Sequence, residues 1–228
     1  MKKIFIIHGW TYSLDKWTEV CKSLQAKGIE PVLLKVPGLT DPSDQVWDIE
    51  GYVDWLDKQL ADEINPVIVG HSNGGRIALS YIQHNPGRIA KLILIDSAGV
   101  PHDERRSRAK LAILRGLSKI GKIFVHGRLP KKIFYKLIGA QDYFNASPSM
   151  RITMGNMLAT DKTIKLSGIK LATTIIWGRE DAITPLADGE KLKAGIDGSK
   201  LYIVDDARHA PFANHPDEVA DIIAGALK

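Results

Sequence analysis

The chain has 228 residues, of which 44% are hydrophobic and 25% charged, with a formal net charge of +5 and a single cysteine. This composition is typical of a globular protein with one large core, and it argues against a disordered chain, a membrane-spanning protein and a disulfide-rich scaffold. The basic N-terminal end is followed by too few apolar residues for a secretory signal. We therefore expect a cytoplasmic protein without a transmembrane segment.

Short runs of apolar, often β-branched residues recur along the chain and predict strands. Each run is bounded by turn residues and is apolar on both faces, as in a strand buried on both sides. The predicted strands span residues 3–8, 31–36, 66–70, 91–96, 173–177 and 200–204. The helical patterns between them span residues 14–27, 49–63, 73–84, 186–194 and 216–227. This alternation predicts a parallel sheet with helices on both faces and functional groups beyond the carboxyl ends of the strands.

One connection is much longer than the others. Residues 100–168 contain no convincing strand, only helical patterns at 105–124, 130–138 and 148–159. Such an insertion is too long for a bare loop. We interpret it as a helical cap inserted into a core formed by residues 1–99 and 169–228. The cap is basic, because residues 101–140 hold eleven Lys and Arg against two acidic residues.

The pentapeptide Gly70-His71-Ser72-Asn73-Gly74 lies directly after a predicted strand and directly before a predicted helix. This is the context in which a G-x-S-x-G motif presents a nucleophilic serine. The glycines keep side chains out of a tight corner, and the helix N-terminus beneath the hydroxyl favours developing negative charge. We therefore predict that Ser72 is a nucleophile. The alternative is a serine that merely starts a helix.

A nucleophilic serine needs a base within hydrogen-bond reach and a third group that orients the base. Two strand ends supply candidates, because Asp181 follows the fifth predicted strand and His209 follows the sixth. The order serine, aspartate, histidine is the one expected for this type of nucleophile turn. Asp96, after the fourth predicted strand, is the fallback for the acid, and His215 is the rival base.

Other polar residues near these strand ends have simpler interpretations. Asp205 and Asp206 stand close to the candidate base in sequence, but adjacent positions seldom reach the second ring nitrogen of a histidine. His8 and His71 flank the predicted site, and we expect structural hydrogen bonds from them. The histidines show no zinc-ligand spacing, so we predict no metal.

The tripeptide His8-Gly9-Trp10 follows the first predicted strand. Gly9 would let this loop pass close to the serine, so that the backbone N–H of Trp10 faces it. Together with the backbone N–H of Asn73 it would form an oxyanion hole, in which each donor is typically worth about 3 to 4 kcal/mol. The side chains of Trp10 and Asn73 would border the substrate.

These motifs together resemble the α/β-hydrolase superfamily, in the branch with a helical cap. The motifs come in the family's order and cover nearly the whole chain: His8-Gly9-Trp10, Pro37-Gly38, Gly70 to Gly74, Gly178 to Asp181, and His209 with Pro216. The resemblance implies a three-layer α/β fold. Members usually have two antiparallel strands ahead of the first strand seen here. We therefore expect a trimmed, mostly parallel sheet of six strands in the order 2-1-3-4-5-6.

The motifs and the resemblance predict a serine hydrolase that cleaves small carboxylic esters without a cofactor. A thioesterase or a carbon–carbon bond hydrolase acting on an acidic, coenzyme A-linked or carrier-protein-linked substrate is the alternative enzyme. A hydrolase-fold receptor that binds a small molecule without useful turnover is the alternative outside catalysis. The residues expected to line the substrate pocket are Phe124, Phe134, Tyr143, Phe144, Met150 and Met154.

The basic cap leaves three interpretations open. It is a solvated helix face, a surface that recognises an acidic ligand or protein partner, or a surface that contacts an anionic membrane. Carrier-protein esterases of this superfamily hold their partner with cap arginines, and the basic segment here permits a similar role. A nucleic-acid partner is disfavoured, because the charge lies over a predicted catalytic cleft and no binding motif accompanies it.

Overall fold

A computed structural model describes residues 2–100 and 146–228 of the chain. The strands are β1 (Lys2–Ile7), β2 (Ile29–Leu33), β3 (Val67–His71), β4 (Lys91–Ile95), β5 (Ala172–Gly178) and β6 (Lys200–Val204). The helices are α1 (Thr18–Ala26), α2 (Ile49–Gln59), α3 (Asn73–His84), α4 (Pro148–Thr160), α5 (Leu186–Gly195), α6 (Pro211–Asn214) and α7 (Pro216–Ala226).

The described strands form one six-stranded sheet in the order β2-β1-β3-β4-β5-β6. Every neighbouring pair is parallel. The predicted fold class and strand order are therefore confirmed. Because all strands run in one direction, their carboxyl ends meet at a single edge, where parallel α/β sheets bind ligands.

Hydrophobic side chains cover both faces of the sheet. Along β1, Ile4 and Ile6 belong to one buried cluster and Phe5 and Ile7 to the other, because successive residues of a strand point to opposite faces. Helices α1 and α7 pack on the first face, and α2, α3 and α5 on the second. Each fully buried Ile or Leu side chain contributes about 1.5 to 3 kcal/mol, so this double burial fixes the sheet that carries the site.

The bounds of β2 differ from the prediction, which placed this strand at residues 31–36. The strand ends at Leu33 because the chain turns around Gly38, whose φ is 78°. The carbonyl of Val36 accepts three N–H groups across this turn, those of Leu39, Thr40 and Asp41. Leu34 and Val36 remain buried, which explains why their hydrophobic pattern predicted a longer strand.

The helix predicted at residues 148–159 agrees with α4. Pro148 occupies its first turn, where the missing N–H costs nothing. Ser147 caps the helix, because its side chain accepts the backbone N–H of Met150 at 3.2 Å. The predicted cap helices at 105–124 and 130–138 lie outside the described residues. The division into a core and a cap therefore stays a prediction.

The described part of the inserted segment is attached to the core. The backbone N–H of Trp47 donates to Thr153 Oγ1 at 2.8 Å, and Asn156 Nδ2 donates to the carbonyl of Trp47 at 3.0 Å. These bonds hold α4 against the loop before α2. Across residues 2–100 and 146–228, no helix combines the length and apolarity needed to cross a bilayer.

Candidate active site

Ser72 forms the corner between β3 and α3. Its φ of 51° and ψ of −118° are rare for a residue other than glycine and typically cost about 1 to 3 kcal/mol. Hydrogen bonds to the chain around the end of β4 hold the corner in place: the Ser72 N–H donates to the carbonyl of Ile95 at 3.1 Å, and its carbonyl accepts the N–H of Ala98 at 2.9 Å. The strained corner is thus fixed at the carboxyl edge of the sheet.

Two glycines are required for the close approach of β1 to this corner. A Cβ atom at Gly74 would lie 2.0 Å from the carbonyl oxygen of Ile7. A Cβ atom at Gly9 would lie 2.8 Å from Cβ of Ser72. Neither position has room for a side chain, so the loop after β1 passes directly beside the serine, as the sequence predicted.

The structure brings the three residues predicted as nucleophile, base and acid into one hydrogen-bonded chain. Nε2 of His209 lies 2.9 Å from Oγ of Ser72, and Nδ1 of His209 lies 2.8 Å from Oδ2 of Asp181. A carboxylate only accepts hydrogen bonds, so Nδ1 carries the proton of the neutral ring. The lone pair of Nε2 is then directed at the serine hydroxyl.

Asp181 is held in its ionised form by further donors. Oδ1 accepts the backbone N–H groups of Ile183 at 2.7 Å and Thr184 at 3.1 Å, and Oδ2 accepts the hydroxyl of Thr184 at 2.7 Å. Burial raises the pKa of Asp181, but the hydrogen bond and charge of His209, aided by these donors, outweigh burial and lower it. Sequence reasoning missed Thr184, although its place three residues after the predicted acid was a local signal.

His71 is the neighbour of the serine, but its ring makes a structural hydrogen bond. Its Nε2–H donates to the backbone carbonyl of His209 at 2.8 Å, and its ring meets Trp17 and Phe212 edge-on. Burial, followed by the charge of His209, lowers its pKa to about 3. His71 is therefore neutral around pH 7 and supports the backbone of the candidate base.

His8 is likewise engaged inside the protein. Its Nδ1–H donates to the carbonyl of Gly9 at 2.7 Å, and its Nε2 lies 2.7 Å from the hydroxyl of Thr40. Burial lowers its pKa. These bonds agree with the structural role expected from the sequence, and they connect the loop after β1 to the turn after β2.

Asp96, the fallback acid, lies fully buried at the end of β4. Its Oδ1 accepts the backbone N–H of Gly178 at 2.8 Å, whereas Oδ2 has no hydrogen-bond partner in the described part of the chain. Burial, followed by the charge of Asp181, raises the pKa of Asp96 to about 8. Asp181, by contrast, accepts the hydrogen bond from Nδ1 of His209 at 2.8 Å, so the geometry favours Asp181 as the acid.

Three residues of this region could in principle bind a metal ion. His71, Asp96 and His209 each bring one potential ligand atom within 4.8 Å of the others. Both ring nitrogens of His209, however, already bond to Ser72 and Asp181. The absence of a metal stays a prediction, and these hydrogen bonds support it.

The other candidates for the acid and the base, Asp205 and His215, interact with other residues. Asp205 pairs with Arg179 on an exposed surface. His215 precedes α7, with its Nδ1 4.0 Å from a carboxylate oxygen of Glu218. Neither side chain reaches the serine or the candidate base.

A cavity of about 610 Å³ opens beside Ser72 and His209. Its apolar lining includes Trp10, Trp17, Met154, Ile183 and Phe212. Trp17 stacks on Phe212 with ring centroids 3.7 Å apart, which joins the turn before α1 to α6. The serine hydroxyl therefore faces a space large enough for a small molecule, bordered mainly by aromatic and aliphatic side chains.

The predicted pocket residues are only partly found at this cavity. Met154 lines it. Met150 is 2% exposed, packs over Gly38 and is not among the lining residues. The other predicted pocket residues lie outside the described residues, namely Phe124, Phe134, Tyr143 and Phe144.

The two residues predicted to form an oxyanion hole adjoin this corner: Asn73 directly follows Ser72 and begins α3, and Trp10 follows Gly9 in the loop after β1. In the described part of the chain, the backbone N–H groups of Trp10 and Asn73 have no acceptor. The Trp10 side chain borders the cavity, as expected. The Asn73 side chain does not, because it is buried and its Oδ1 accepts a hydrogen bond from Arg76 Nη1 at 2.6 Å.

The structure also reveals a buried charged pair that sequence reasoning missed. The guanidinium of Arg76 donates to both carboxylate oxygens of Asp161, at 2.6 and 3.0 Å. Asp161 directly follows α4, so this pair joins the inserted segment to α3. An arginine four positions after the serine, on a helix with a buried face, was the available signal.

Comparison with known proteins identifies the family of this chain. The α/β hydrolase fold family matches residues 3–216. The chain belongs to the α/β-hydrolase superfamily. It is 25% identical, over 99% of its length and 98% of the relative's, to the pimeloyl-(acyl-carrier protein) methyl ester esterase of Aromatoleum aromaticum. It is also 25% identical, over 94% of its length and 84% of the relative's, to 2-hydroxy-6-oxononadienedioate/2-hydroxy-6-oxononatrienedioate hydrolase 1 of Pseudomonas putida.

Solved α/β-hydrolase structures share the fold along nearly the whole chain. The esterase of Exiguobacterium antarcticum superposes with a TM-score of 0.69 and 18% identity, covering 100% of this chain and 92% of the other. A bromoperoxidase of Bacillus anthracis gives a TM-score of 0.72 and 22% identity, covering 99% and 91%. With its esterase-like relatives, the chain is a hydrolase of this superfamily.

Proposed function

We propose that this hydrolase cleaves small carboxylic esters through an acyl-enzyme formed on Ser72. The observation that supports the proposal most strongly is the continuous path from Ser72 Oγ through His209 to Asp181, with contacts of 2.9 and 2.8 Å. Distances in this range are those at which a base accepts the proton of a nucleophile. The methyl ester esterase activity in the name of the Aromatoleum relative supports an ester as the substrate.

In the first step, Ser72 Oγ attacks the ester carbonyl carbon while Nε2 of His209 accepts the hydroxyl proton. The carbonyl oxygen becomes negatively charged and accepts the backbone N–H groups of Trp10 and Asn73. The N-terminus of α3 lies next to this oxygen and favours its charge. Asp181 stays ionised and stabilises the imidazolium through Nδ1–H.

Collapse of the tetrahedral intermediate breaks the bond to the alcohol oxygen. His209 returns its proton to this oxygen, so a neutral alcohol leaves and the acyl group stays on Ser72. Water then attacks the acyl carbonyl and gives one proton to His209. The second collapse releases the carboxylic acid, and the proton on His209 restores the serine hydroxyl. Each half of the reaction uses the same base and the same two N–H donors.

The test compares wild-type protein with Ser72→Ala on p-nitrophenyl butyrate. We expect kcat to fall by about a million-fold, because removing a serine nucleophile eliminates the covalent route. A fluorophosphonate probe should label the wild-type protein and leave the variant unlabelled.

Ser80→Ala is the matched control, because Ser80 lies on α3 and its buried hydroxyl has no hydrogen-bond partner among the described residues. It should keep its activity and its labelling. Retention of activity by Ser72→Ala within about tenfold of wild type would contradict the mechanism, since nucleophile removal costs several orders of magnitude more.

A further inference from the structure

Among the described residues that line the Ser72 cavity, the charged side chains of Lys16 and Arg208 have the same sign. Lys16, from the turn before α1, and Arg208, from the loop after β6, both line the cavity. No Asp or Glu is found among its described lining residues. Two separate loops thus bring positive charge to one opening.

These cations have little competition from acidic partners. Lys16 is exposed and forms no ion pair with a described residue. Arg208 faces Glu180 at 3.8 Å, and the two side chains are 82% and 53% exposed. A long, solvated pair of this kind contributes little. Both cations therefore remain available to an anionic ligand.

Another cavity of the described structure shows that this bias is not general. It has a volume of about 490 Å³, and its lining combines Glu50 with Lys165 and His84. Charges of both signs there offer no preference for an anion. Uniform positive charge is thus a property of the cavity that also contains the candidate nucleophile.

We propose that the substrate of this hydrolase is an ester carrying a carboxylate remote from the scissile bond, and that Lys16 and Arg208 bind this carboxylate. The apolar part of the substrate lies against Trp10 and Met154, which line the same cavity and are partly exposed. The inference rests on the proposed ester hydrolysis at Ser72. It adds the charge of the substrate, which the hydrogen-bonded chain at the serine does not determine.

The expected loss of activity on removing Lys16 and Arg208 is modest, because both side chains are exposed to solvent. An exposed ion pair changes an equilibrium by about 1.5-fold to 5-fold, and added salt screens it. The Lys16→Gln/Arg208→Gln double variant should therefore lose about 3-fold to 20-fold in kcat/KM for an anionic ester, mainly through KM. A neutral ester should lose less, so the ratio of the two kcat/KM values falls.

The experiment uses two pairs of chromogenic or ultraviolet-detected esters. In the first pair, mono-p-nitrophenyl suberate is compared with its methyl p-nitrophenyl diester, so the acyl chain carries either a carboxylate or a neutral methyl ester. In the second pair, 4-carboxyphenyl octanoate is compared with 4-(methoxycarbonyl)phenyl octanoate, so the charge lies on the alcohol side. The four kcat/KM values are measured for each variant at low and at high sodium chloride concentration.

The matched control is Lys22→Gln/Lys200→Gln, which removes the same charge from α1 and from the start of β6, away from the cavity lining. We expect wild type and this control to prefer the anionic member of at least one pair, and salt to reduce the preference. The Lys16→Gln/Arg208→Gln variant should lose it. Equal losses on anionic and neutral esters, or no anionic preference in either pair, would overturn the inference. Hydrolysis of the neutral esters that requires Ser72 would still support the proposed function.

Discussion

Two hydrogen-bonded pairs of side chains in this part of the molecule differ in whether they reach the cavity. The Asp181–His209 pair ends in Nε2 facing the serine hydroxyl at the cavity. Arg76 and Asp161, in contrast, are 6% and 11% exposed and bond to each other. A buried pair with all its partners inside the protein holds elements together, whereas one that ends at a cavity is able to transfer a proton. The comparison predicts that the first pair affects activity and that the second affects stability.

Replacing Asp181, the acid of the pair that reaches the cavity, should give the largest effect on activity. Asp181→Asn keeps the shape of the side chain but favours the wrong tautomer of His209, so kcat should fall by about ten-thousand-fold. Ester hydrolysis measures this loss, and urea unfolding shows whether the variant is folded. A fall of less than about tenfold in a folded variant would show that another group orients His209.

Replacing a residue of the buried Arg76–Asp161 pair should instead lower the stability of the protein. Asp161→Asn leaves the guanidinium of Arg76 buried without its charged partner, and we expect the free energy of unfolding to fall by about 3 to 5 kcal/mol. Urea denaturation checks this value. The matched control is Asp197→Asn, which breaks an exposed pair with Lys170 at 2.9 Å and should cost about 1 kcal/mol or less.

A compensating variant sharpens this test. Arg76→Met combined with Asp161→Leu removes both charges together and should recover much of the lost stability, because apolar residues often replace a buried ion pair without loss. Equal destabilisation by Asp161→Asn and Asp197→Asn would refute the role assigned to the buried pair.

Asp96, near His209, provides a pH-dependent effect that is smaller than the preceding ones per pH unit. Its pKa in the folded protein is about 8, above its ordinary value of 3.8, so the folded form binds the proton more tightly than the unfolded form. The stability that this group contributes is therefore full below pH 3.8 and decreases as the pH rises to about 8. Asp96→Asn cannot lose a proton, so its stability relative to wild type should rise by roughly 1.4 kcal/mol per pH unit at most in this range.

Urea unfolding of both proteins at several pH values across this window measures the difference. A constant difference between the two proteins would show that Asp96 titrates normally and that its burial is relieved by solvent. A difference that grows with pH would establish it as a neutral acid beside the candidate base.

Much of the fold and the central part of the candidate site could be predicted because both depend on local sequence signals. Ser72, Asp181 and His209 each follow a strongly apolar strand, and parallel topology brings such strand ends to one edge. The bounds of β2 were less predictable, because Leu34 and Val36 stay buried beyond the end of the strand at Leu33.

The contacts of the inserted segment could not be predicted in the same way. Arg76 and Asp161 are 85 positions apart, and no regular alternation of strands and helices relates them. The orientation of α4 decides that Met154 faces the cavity while Met150 packs over Gly38. The spacing of the methionines alone does not predict how α4 is oriented.

The position of Trp10 at the cavity has a spectroscopic consequence. Trp10 is one of five tryptophans in the chain, and it is partly exposed and lines the cavity beside Ser72. An occupant of that cavity contacts an indole ring, and its arrival alters the surroundings that determine the emission of the ring. Ser72→Ala protein, which should bind esters without consuming them, would thus report binding by its own fluorescence. Unlabelled candidate substrates could then be ranked by affinity before any turnover assay exists for them.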